Sequence, residues 1–110
     1  MKTTSTAVPA TGVRFSLCDK NGQEIGRAFL YIMHNNLHER PFGLIEDIFI
    51  EEAFRGSGHG TDLIKKLIQE AKKHKCYKLI ATSRHAREQV HKLYHDLGFK
   101  NHGLELRMTF

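Results

Sequence analysis

Three glycines at alternating positions stand immediately before an apolar helical pattern, in the stretch Arg55-Gly56-Ser57-Gly58-His59-Gly60. The first amides of a helix have no acceptor within the helix, and the helix dipole adds positive potential at the same end. Glycine lets the backbone approach a ligand closely and adopts positive φ without strain. The stretch therefore predicts an anion cradle, and a phosphate group is its natural occupant. A plain turn between a strand and a helix would need one glycine rather than three.

The two common nucleotide motifs do not account for these glycines. The P-loop needs G-x-x-x-x-G-K-[ST], which is absent, and the dinucleotide fingerprint G-x-G-x-x-G meets Thr61 where its third glycine belongs. The carboxylate that binds ribose about 20 residues later is also missing, since Thr82, Ser83 and Arg84 stand there. Neither a P-loop nor a Rossmann fold is therefore indicated.

Two adjacent carboxylates interrupt an apolar strand pattern just before the glycines. Glu46 and Asp47 lie within Phe42–Ile50, where simple alternation places them on opposite faces. Charged residues in the middle of such a strand are costly unless they are paired or functional. Both are candidate bases, and Glu46 is favoured. The alternative is a strand carboxylate that pairs with a surface lysine or arginine.

Hydrophobic periodicity predicts the elements that must position these residues. In chain order they are strands over Val13–Cys18, Ile25–Met33 and Phe42–Ile50, a helix that includes Leu63–Ala71, a strand over Tyr77–Thr82, a helix that includes Val90–Leu97, and a strand over Leu104–Phe110. A strand–helix–strand crossover makes the third and fourth strands parallel, so the sheet is mixed and the fold class is α/β (α+β), with the order β-β-β-α-β-α-β. Residues 1–12 are predicted to be a flexible leader and residues 13–110 a single domain.

Composition and charge limit the classes of function. The chain has 110 residues, of which 40% are hydrophobic and 26% charged, as in one globular domain. No apolar run approaches the roughly 20 residues of a membrane span, and two cysteines suit a reducing cytoplasm. A net charge of +5 favours an anionic partner, although nucleic acid is not the expected partner because no reader motif is present. No metal site is expected, since His91 and His95 have no third ligand at a motif-like spacing.

Two blocks of the sequence resemble the GNAT superfamily, the acetyl-CoA-dependent N-acetyltransferases. The first, IEDIFIEEAFRGSGHGTDLIKKLI, resembles motif A, a strand followed by [RQ]-x-x-G-x-[GA] and a helix, and Arg55, Gly58 and Gly60 fill the named places. The second, VHKLYHDLGF, resembles the family's helix that ends Y-x-x-x-G-F. The blocks occur in the right order, and the resemblance extends over 14–110. It implies a GNAT-like mixed sheet with a splayed parallel strand pair.

The resemblance implies where a cofactor would lie. Acetyl-CoA, as co-substrate, would enter between the third strand and the strand YKLIAT where the two part. The implied backbone partners of its pantetheine arm are Ile48, Phe49 and Ile50. The implied partners of its pyrophosphate are the amides of Arg55, Gly56, Ser57, Gly58, His59, Gly60 and Thr61. Arg87 is a candidate for the 3′-phosphate, and it stands where many relatives carry an asparagine.

The resemblance also implies the chemistry, which is acyl transfer from a thioester to a primary amine. Tyr94 matches the tyrosine that protonates the sulfur of the coenzyme, and Glu46 matches the glutamate that assists proton removal through water in spermidine/spermine acetyltransferases, with Asp47 adjacent. A tyrosine pKa near ~10 against a thiol pKa near ~8.5 makes full proton transfer uphill by about 2 kcal/mol. Tyr94 is therefore expected either to stabilise the thiolate by a hydrogen bond or to be acidified by its setting. The alternative is a core aromatic residue.

One departure from the family concerns the acceptor side. Relatives usually begin with a strand and two helices that wall the acceptor pocket, whereas this chain starts at about the hairpin. The acceptor site is therefore expected to be open or to be closed by a second subunit, which predicts a homodimer. The alternative to an enzyme is a reduced acetyltransferase fold that binds coenzyme A or a partner protein without turnover.

Overall fold

The computed structural model describes residues 1–84 and 87–110. Its elements, in chain order, are β1 (Ala10–Cys18), β2 (Glu24–Met33), β3 (Phe42–Ile50), a 3₁₀ turn (Glu52–Phe54), α1 (His59–Lys73), β4 (Leu79–Ala81) and α2 (Glu88–Asp96). The strands form one sheet in the order β1-β2-β3-β4, in which only β3 and β4 are parallel. The mixed α/β class is confirmed. Because β1 begins at Ala10, it overlaps the end of the predicted leader, whose flexibility stays a prediction.

The β1–β2 hairpin follows from the turn chemistry of its loop. The Asp19 carboxylate accepts hydrogen bonds from the amides of Asn21 (2.9 Å) and Gln23 (3.0 Å). Gly22 takes a φ of 80°, a conformation that costs a residue with a Cβ about 1–2 kcal/mol. The turn therefore favours the register in which β2 pairs with β1.

Helix α1 packs its apolar stripe on one face of the sheet. The core between them consists of Leu63, Leu67 and Ala71 from the helix and Ala28, Leu30, Ile32, Ile45 and Ile50 from the strands. Since side chains alternate along a strand, the residues of β2 between these buried positions lie on the opposite face. The packing fixes the N-terminus of α1 beside the end of β3, which is where the glycine stretch connects them.

A β-bulge interrupts β3 at the two carboxylates. Phe29 is paired with Glu46 and Arg27 with Phe49, so that Asp47 and Ile48 together stand opposite the single residue between Arg27 and Phe29. Asp47 has a φ of 53°, which marks it as the bulged residue. The extra residue shifts the alternation of β3 by one position from there onwards.

The bulge overturns the prediction that Glu46 and Asp47 lie on opposite faces. Ile45 and Ile50 are both buried in the core, although simple alternation separates them. Glu46 lies opposite Phe29, and the Asp47 carboxylate reaches Arg27. Because Arg27 and Phe29 belong to the sheet face away from α1, both carboxylates are presented on that open face.

The strand predicted over Leu104–Phe110 is not formed in this chain. Residues 97–110, all of which are described, belong to neither a helix nor a strand. The side chains of Leu104, Leu106, Met108 and Phe110 are between 78% and 108% exposed. Alternation of apolar and polar residues predicts a strand only where a neighbouring strand supplies backbone partners, and no strand among the described residues pairs with this segment. The order of helices and strands along the chain therefore ends with α2.

Candidate active site

The parallel strands β3 and β4 pair for a short distance and then separate. Their register runs from Gly43 opposite Leu79 to Ile45 opposite Ala81, where β4 ends. β3 continues to Ile50, and the backbone edge of residues 46–50 that faces away from β2 has no partner strand in the described part of the chain. The gap between β3 and β4 beyond this point, called the notch below, is where the resemblance places the cofactor.

Free backbone amides line the loop at the mouth of this notch. Across residues 1–84 and 87–110, no amide from Gly56 to Thr61 has a protein acceptor, and the first helical hydrogen bond of α1 runs from the amide of Asp62 to the carbonyl of Gly58 (3.0 Å). Gly56 and Gly58 have φ values of 87° and 84°. Left-handed residues that alternate with ordinary ones turn successive amides toward one concave surface, which attracts anions. The loop can therefore hold a phosphate group by backbone contacts alone.

Arg55 links the loop to the end of β3. Its Nε donates a hydrogen bond to the carbonyl oxygen of Ile50 at 2.7 Å. Its guanidinium carbon lies 5.5 Å from the ring centroid of Phe49, and that of Arg27 lies 4.8 Å from the same centroid. The backbone amide of Arg55 donates to the carbonyl of Glu52 (3.2 Å) and is therefore not part of the free row. Arg55 contributes a positive side chain and a rigid connection instead.

The two carboxylates at the bulge differ in their partners. Asp47 forms a long ion pair with Arg27, whose Nε lies 3.4 Å from Oδ2. Glu46 is exposed, and among the described residues it takes part in no ion pair. The alternative raised for strand carboxylates, pairing with a surface arginine, thus applies to Asp47. Glu46 remains available to a water molecule or a substrate.

Tyr94 lies on α2 with its ring packed, and its hydroxyl has no hydrogen-bond partner among the described residues. The ring meets that of Phe99 edge to face, with centroids 5.1 Å apart and an interplanar angle of 73°. Burial raises the pKa of the Tyr94 phenol above its ordinary value. Burial thus acts against an acidified tyrosine, while hydrogen-bond donation to a thiolate and the core aromatic residue both stay predictions. No hydrogen bond in the described residues joins Tyr94 to Glu46 or Asp47.

Arg27 is a site residue that the sequence analysis missed. It contacts the Asp47 carboxylate and the Phe49 ring, so it organises the open face beside the notch. The only signal in the sequence was that Arg27 belongs to the strand next to β3. The register that pairs Arg27 with Phe49 follows from the bulge and is not visible in the sequence.

The last predicted contact, Arg87, is exposed at the start of α2. The described residues hold no group of three or more His, Cys, Asp or Glu side chains suited to a metal ion, and no described helix is long and apolar enough to cross a membrane.

Comparison with known proteins identifies this arrangement. Residues 7–99 match the model of the acetyltransferase (GNAT) family, a span that contains the notch, the glycine loop and α2. The chain belongs to the GNAT family. This GNAT chain is 33% identical over 88 residues to a glucosamine 6-phosphate N-acetyltransferase of Trypanosoma brucei brucei, with coverage of 79% of the chain and 58% of that protein. It is 26% identical over 100 residues to an aminoglycoside N(6')-acetyltransferase type 1 of Stenotrophomonas maltophilia, with coverage of 88% and 65%.

A solved structure supports the same assignment of the GNAT fold. The crystal structure of a Trypanosoma brucei acetyltransferase superposes with a TM-score of 0.83 at 31% sequence identity, over 90% of this chain and 69% of that one. The resemblance stated from the two sequence blocks is confirmed. The chain spans only 58% and 65% of the two curated relatives, so parts of those proteins have no counterpart in this sequence.

Proposed function

We propose that this GNAT chain is an N-acetyltransferase that moves an acetyl group from acetyl-CoA to a primary amine by direct attack. The observation that carries the proposal is the row of unpaired amides from Gly56 to Thr61 at the mouth of the notch between β3 and β4. Such a row binds a pyrophosphate without any side chain, and the notch continues from it along a free strand edge.

The cofactor would lie along this path. Ile48, Phe49 and Ile50 stay the proposed backbone partners of a pantetheine arm, which would lie along the edge of β3 that faces away from β2, as an added strand would. The Ile50 carbonyl already accepts a hydrogen bond from Arg55 at 2.7 Å, so the arm would have to share or replace that contact. The net charge of +5 favours a polyphosphorylated ligand, and Arg87 stays a proposed contact for the 3′-phosphate.

In the proposed reaction, Glu46 acts as a general base and Tyr94 acts as a hydrogen-bond donor. The amine nitrogen attacks the thioester carbonyl carbon, a carbon–nitrogen bond forms, and the carbon–sulfur bond breaks. Glu46 takes the proton that the amine loses, through water, while the Tyr94 hydroxyl donates a hydrogen bond to the departing sulfur. Glu46 is preferred to Asp47 because Asp47 is held by Arg27.

The proposed partners are acetyl-CoA, an amine acceptor and a second copy of the chain. The names of the two curated relatives place amino sugars first in a search for the acceptor. The proposed location is the cytoplasm, because Cys18 and Cys76 are free thiols, as expected in a reducing compartment.

Thiol release and calorimetry test the proposal. Titration with coenzyme A is expected to give binding heat, and acetyl-CoA is expected to release thiol only when an amine is present. The amine panel comprises glucosamine 6-phosphate, an aminoglycoside, a polyamine and a lysine peptide. Absence of binding heat would exclude the acetyltransferase. Binding without turnover across the panel would instead establish the alternative, a non-catalytic coenzyme A module.

Replacing Glu46 with glutamine is expected to lower kcat/KM about 100-fold at neutral pH, because a general base typically contributes 10²–10⁴-fold. With the lysine peptide as acceptor, the loss should shrink as pH rises toward the lysine pKa of about 10.4, since the amine then deprotonates without help. The measurement is a pH–rate profile for both proteins. Glu39→Gln, an exposed carboxylate in the loop before β3, is the matched control and should leave the profile unchanged. An equal loss at every pH would rule out a base role for Glu46.

A further inference from the structure

Three arginines at or beside the open face of the sheet differ in how completely they are paired. Nη2 of Arg14 lies 2.7 Å from both carboxylate oxygens of Glu24. Arg27 reaches Asp47 only at 3.4 and 3.5 Å, which is longer than the roughly 2.7–3.2 Å of an ordinary N–H···O bond. Arg55 uses only Nε, on a backbone carbonyl, and its terminal nitrogens have no acceptor within residues 1–84 and 87–110. Arg27 and Arg55 therefore retain hydrogen-bond donors for a ligand.

Arg27 and Arg55 both lie against the ring of Phe49. Their guanidinium carbons are 4.8 Å and 5.5 Å from its centroid, and Phe49 is 38% exposed, so a ligand can reach both groups. Among the described residues, Asp47 is the only carboxylate in an ion pair with either arginine. The two arginines thus carry one more positive charge than their ion-pair partner offsets. Guanidinium groups with free donors match the oxygens of a phosphate, so an anion is the ligand that this arrangement attracts.

The candidate base lies a short distance from these arginines on the same face. Arg27 is paired with Phe49, whereas Glu46 is paired with Phe29, two positions further along β2. Residues two apart on one strand are separated by about 7 Å, a distance that a molecule the size of one sugar ring can span. The half-buried ring of Phe29 lies between the two ends and offers an apolar surface to the body of such a molecule. The face therefore presents a carboxylate for an amine at one end and guanidinium donors at the other.

We propose that Arg27 determines acceptor specificity by binding a phosphate group of the amine that is acetylated. The inference rests on the proposed acetyl transfer and names the class of its acceptor, an amine that carries a phosphate. The phosphate takes the place that Asp47 holds at long distance, and the terminal nitrogens of Arg55 add further donors. A polycationic amine would instead bring positive charge against two guanidinium groups, and this repulsion disfavours it.

A matched pair of acceptors tests the phosphate preference. Glucosamine 6-phosphate and glucosamine differ only in the phosphate, so the ratio of their kcat/KM values isolates its contribution. With acetyl-CoA, the unmodified protein is expected to favour the phosphorylated sugar by about 100-fold, mainly through a lower KM, because hydrogen bonds to charged groups are among the stronger ones. Equal kcat/KM values for the two sugars would overturn the proposal and leave acetyl transfer itself intact.

Arg27→Gln is expected to reduce this preference about tenfold or more by raising KM for glucosamine 6-phosphate, while kcat/KM for glucosamine stays within about threefold. Arg27→Lys keeps the charge and should recover part of the preference. Arg14→Gln is the matched control, since Arg14 lies on the same face but is already paired with Glu24, and it should keep the full preference. An unchanged preference in Arg27→Gln would overturn the proposal. A loss of coenzyme A affinity in place of the preference would overturn it as well, because Arg27 would then serve the cofactor.

Binding without turnover separates the phosphate site from acetyl transfer. A ³¹P NMR titration of glucosamine 6-phosphate with protein saturated by coenzyme A reports phosphate binding when no acetyl group is present. Arg27→Gln should weaken this binding about tenfold, whereas Asp47→Asn removes the competing carboxylate and should tighten it about threefold. Binding that depends on Arg27, in a protein that acetylates no amine, would refute acetyl transfer and retain the site. Absence of binding to the unmodified protein, or equal binding to Arg27→Gln, would overturn the site.

Discussion

Replacing Gly58 with valine is expected to weaken coenzyme A binding at least tenfold, which corresponds to about 1.4 kcal/mol. Gly58 is the N-cap of α1 and has a φ of 84°, a region in which a β-branched residue is an outlier. A Cβ added there meets no atom of the described residues within 4 Å, so the variant has room to fold. The backbone strain of valine instead disfavours the loop conformation that turns the free amides toward one point. Calorimetric titration with coenzyme A measures the change.

Gly22→Val is the matched control for this substitution. Gly22 has a φ of 80°, and no described atom lies within 4 Å of an added Cβ, but it belongs to the β1–β2 turn and not to the glycine loop. Both variants should lose a similar 1–2 kcal/mol of folding free energy, since the strain is of the same kind. Only Gly58→Val should lose affinity for coenzyme A. Equal affinities in the two variants would show that the phosphate does not lie on this loop.

The glycine loop was predictable because its chemistry is local. Positive φ at Gly56 and Gly58, free amides and a helix start all follow from residues adjacent in sequence. The same holds for the hairpin turn at Asp19 and Gly22, and for the apolar stripe of α1. In each case the residue types along a short stretch are enough for the prediction, because the local structure does not depend on which element packs against it.

The geometry at Glu46 and Asp47 was not predictable, because it depends on pairing between strands. Alternation counts residues along one strand, whereas a bulge inserts a residue relative to the neighbouring strand. A φ of 53° at Asp47 is a consequence of β3 pairing with β2 on both sides of the bulge. The bulge brings both carboxylates to one face and gives Arg27 its partner. The selection of Glu46 as the free carboxylate depends on that contact.

The segment Leu104–Phe110 shows a second limit of sequence patterns. Its alternation predicts a strand, yet the described strands of the same chain do not pair with it, and its apolar side chains are exposed. The alternation indicates that one face of the segment is buried, but it does not identify the surface that covers this face.

Replacing Tyr94 with phenylalanine is expected to lower kcat about 100-fold with little change in coenzyme A affinity or thermal stability. The ring keeps its edge-to-face contact with Phe99, and the lost hydroxyl has no hydrogen-bond partner among the described residues. The loss therefore falls on the step in which negative charge develops on sulfur. Turnover kinetics, calorimetry with coenzyme A and a melting curve separate these effects. Tyr77→Phe, whose ring packs on His38, is the control and should retain kcat.

The pH dependence distinguishes a protonated donor from a tyrosinate. Burial raises the pKa of the Tyr94 phenol, so the protonated form persists to a higher pH than in an exposed tyrosine. In the unmodified protein, kcat should therefore show no alkaline decline below the ordinary tyrosine pKa of about 10. Tyr94→Phe should lower kcat at every pH in that range without changing the pH values at which kcat rises or falls. A decline near pH 8 that disappears in Tyr94→Phe would mean an acidified phenol, and would overturn the inference that Tyr94 acts as a hydrogen-bond donor to sulfur.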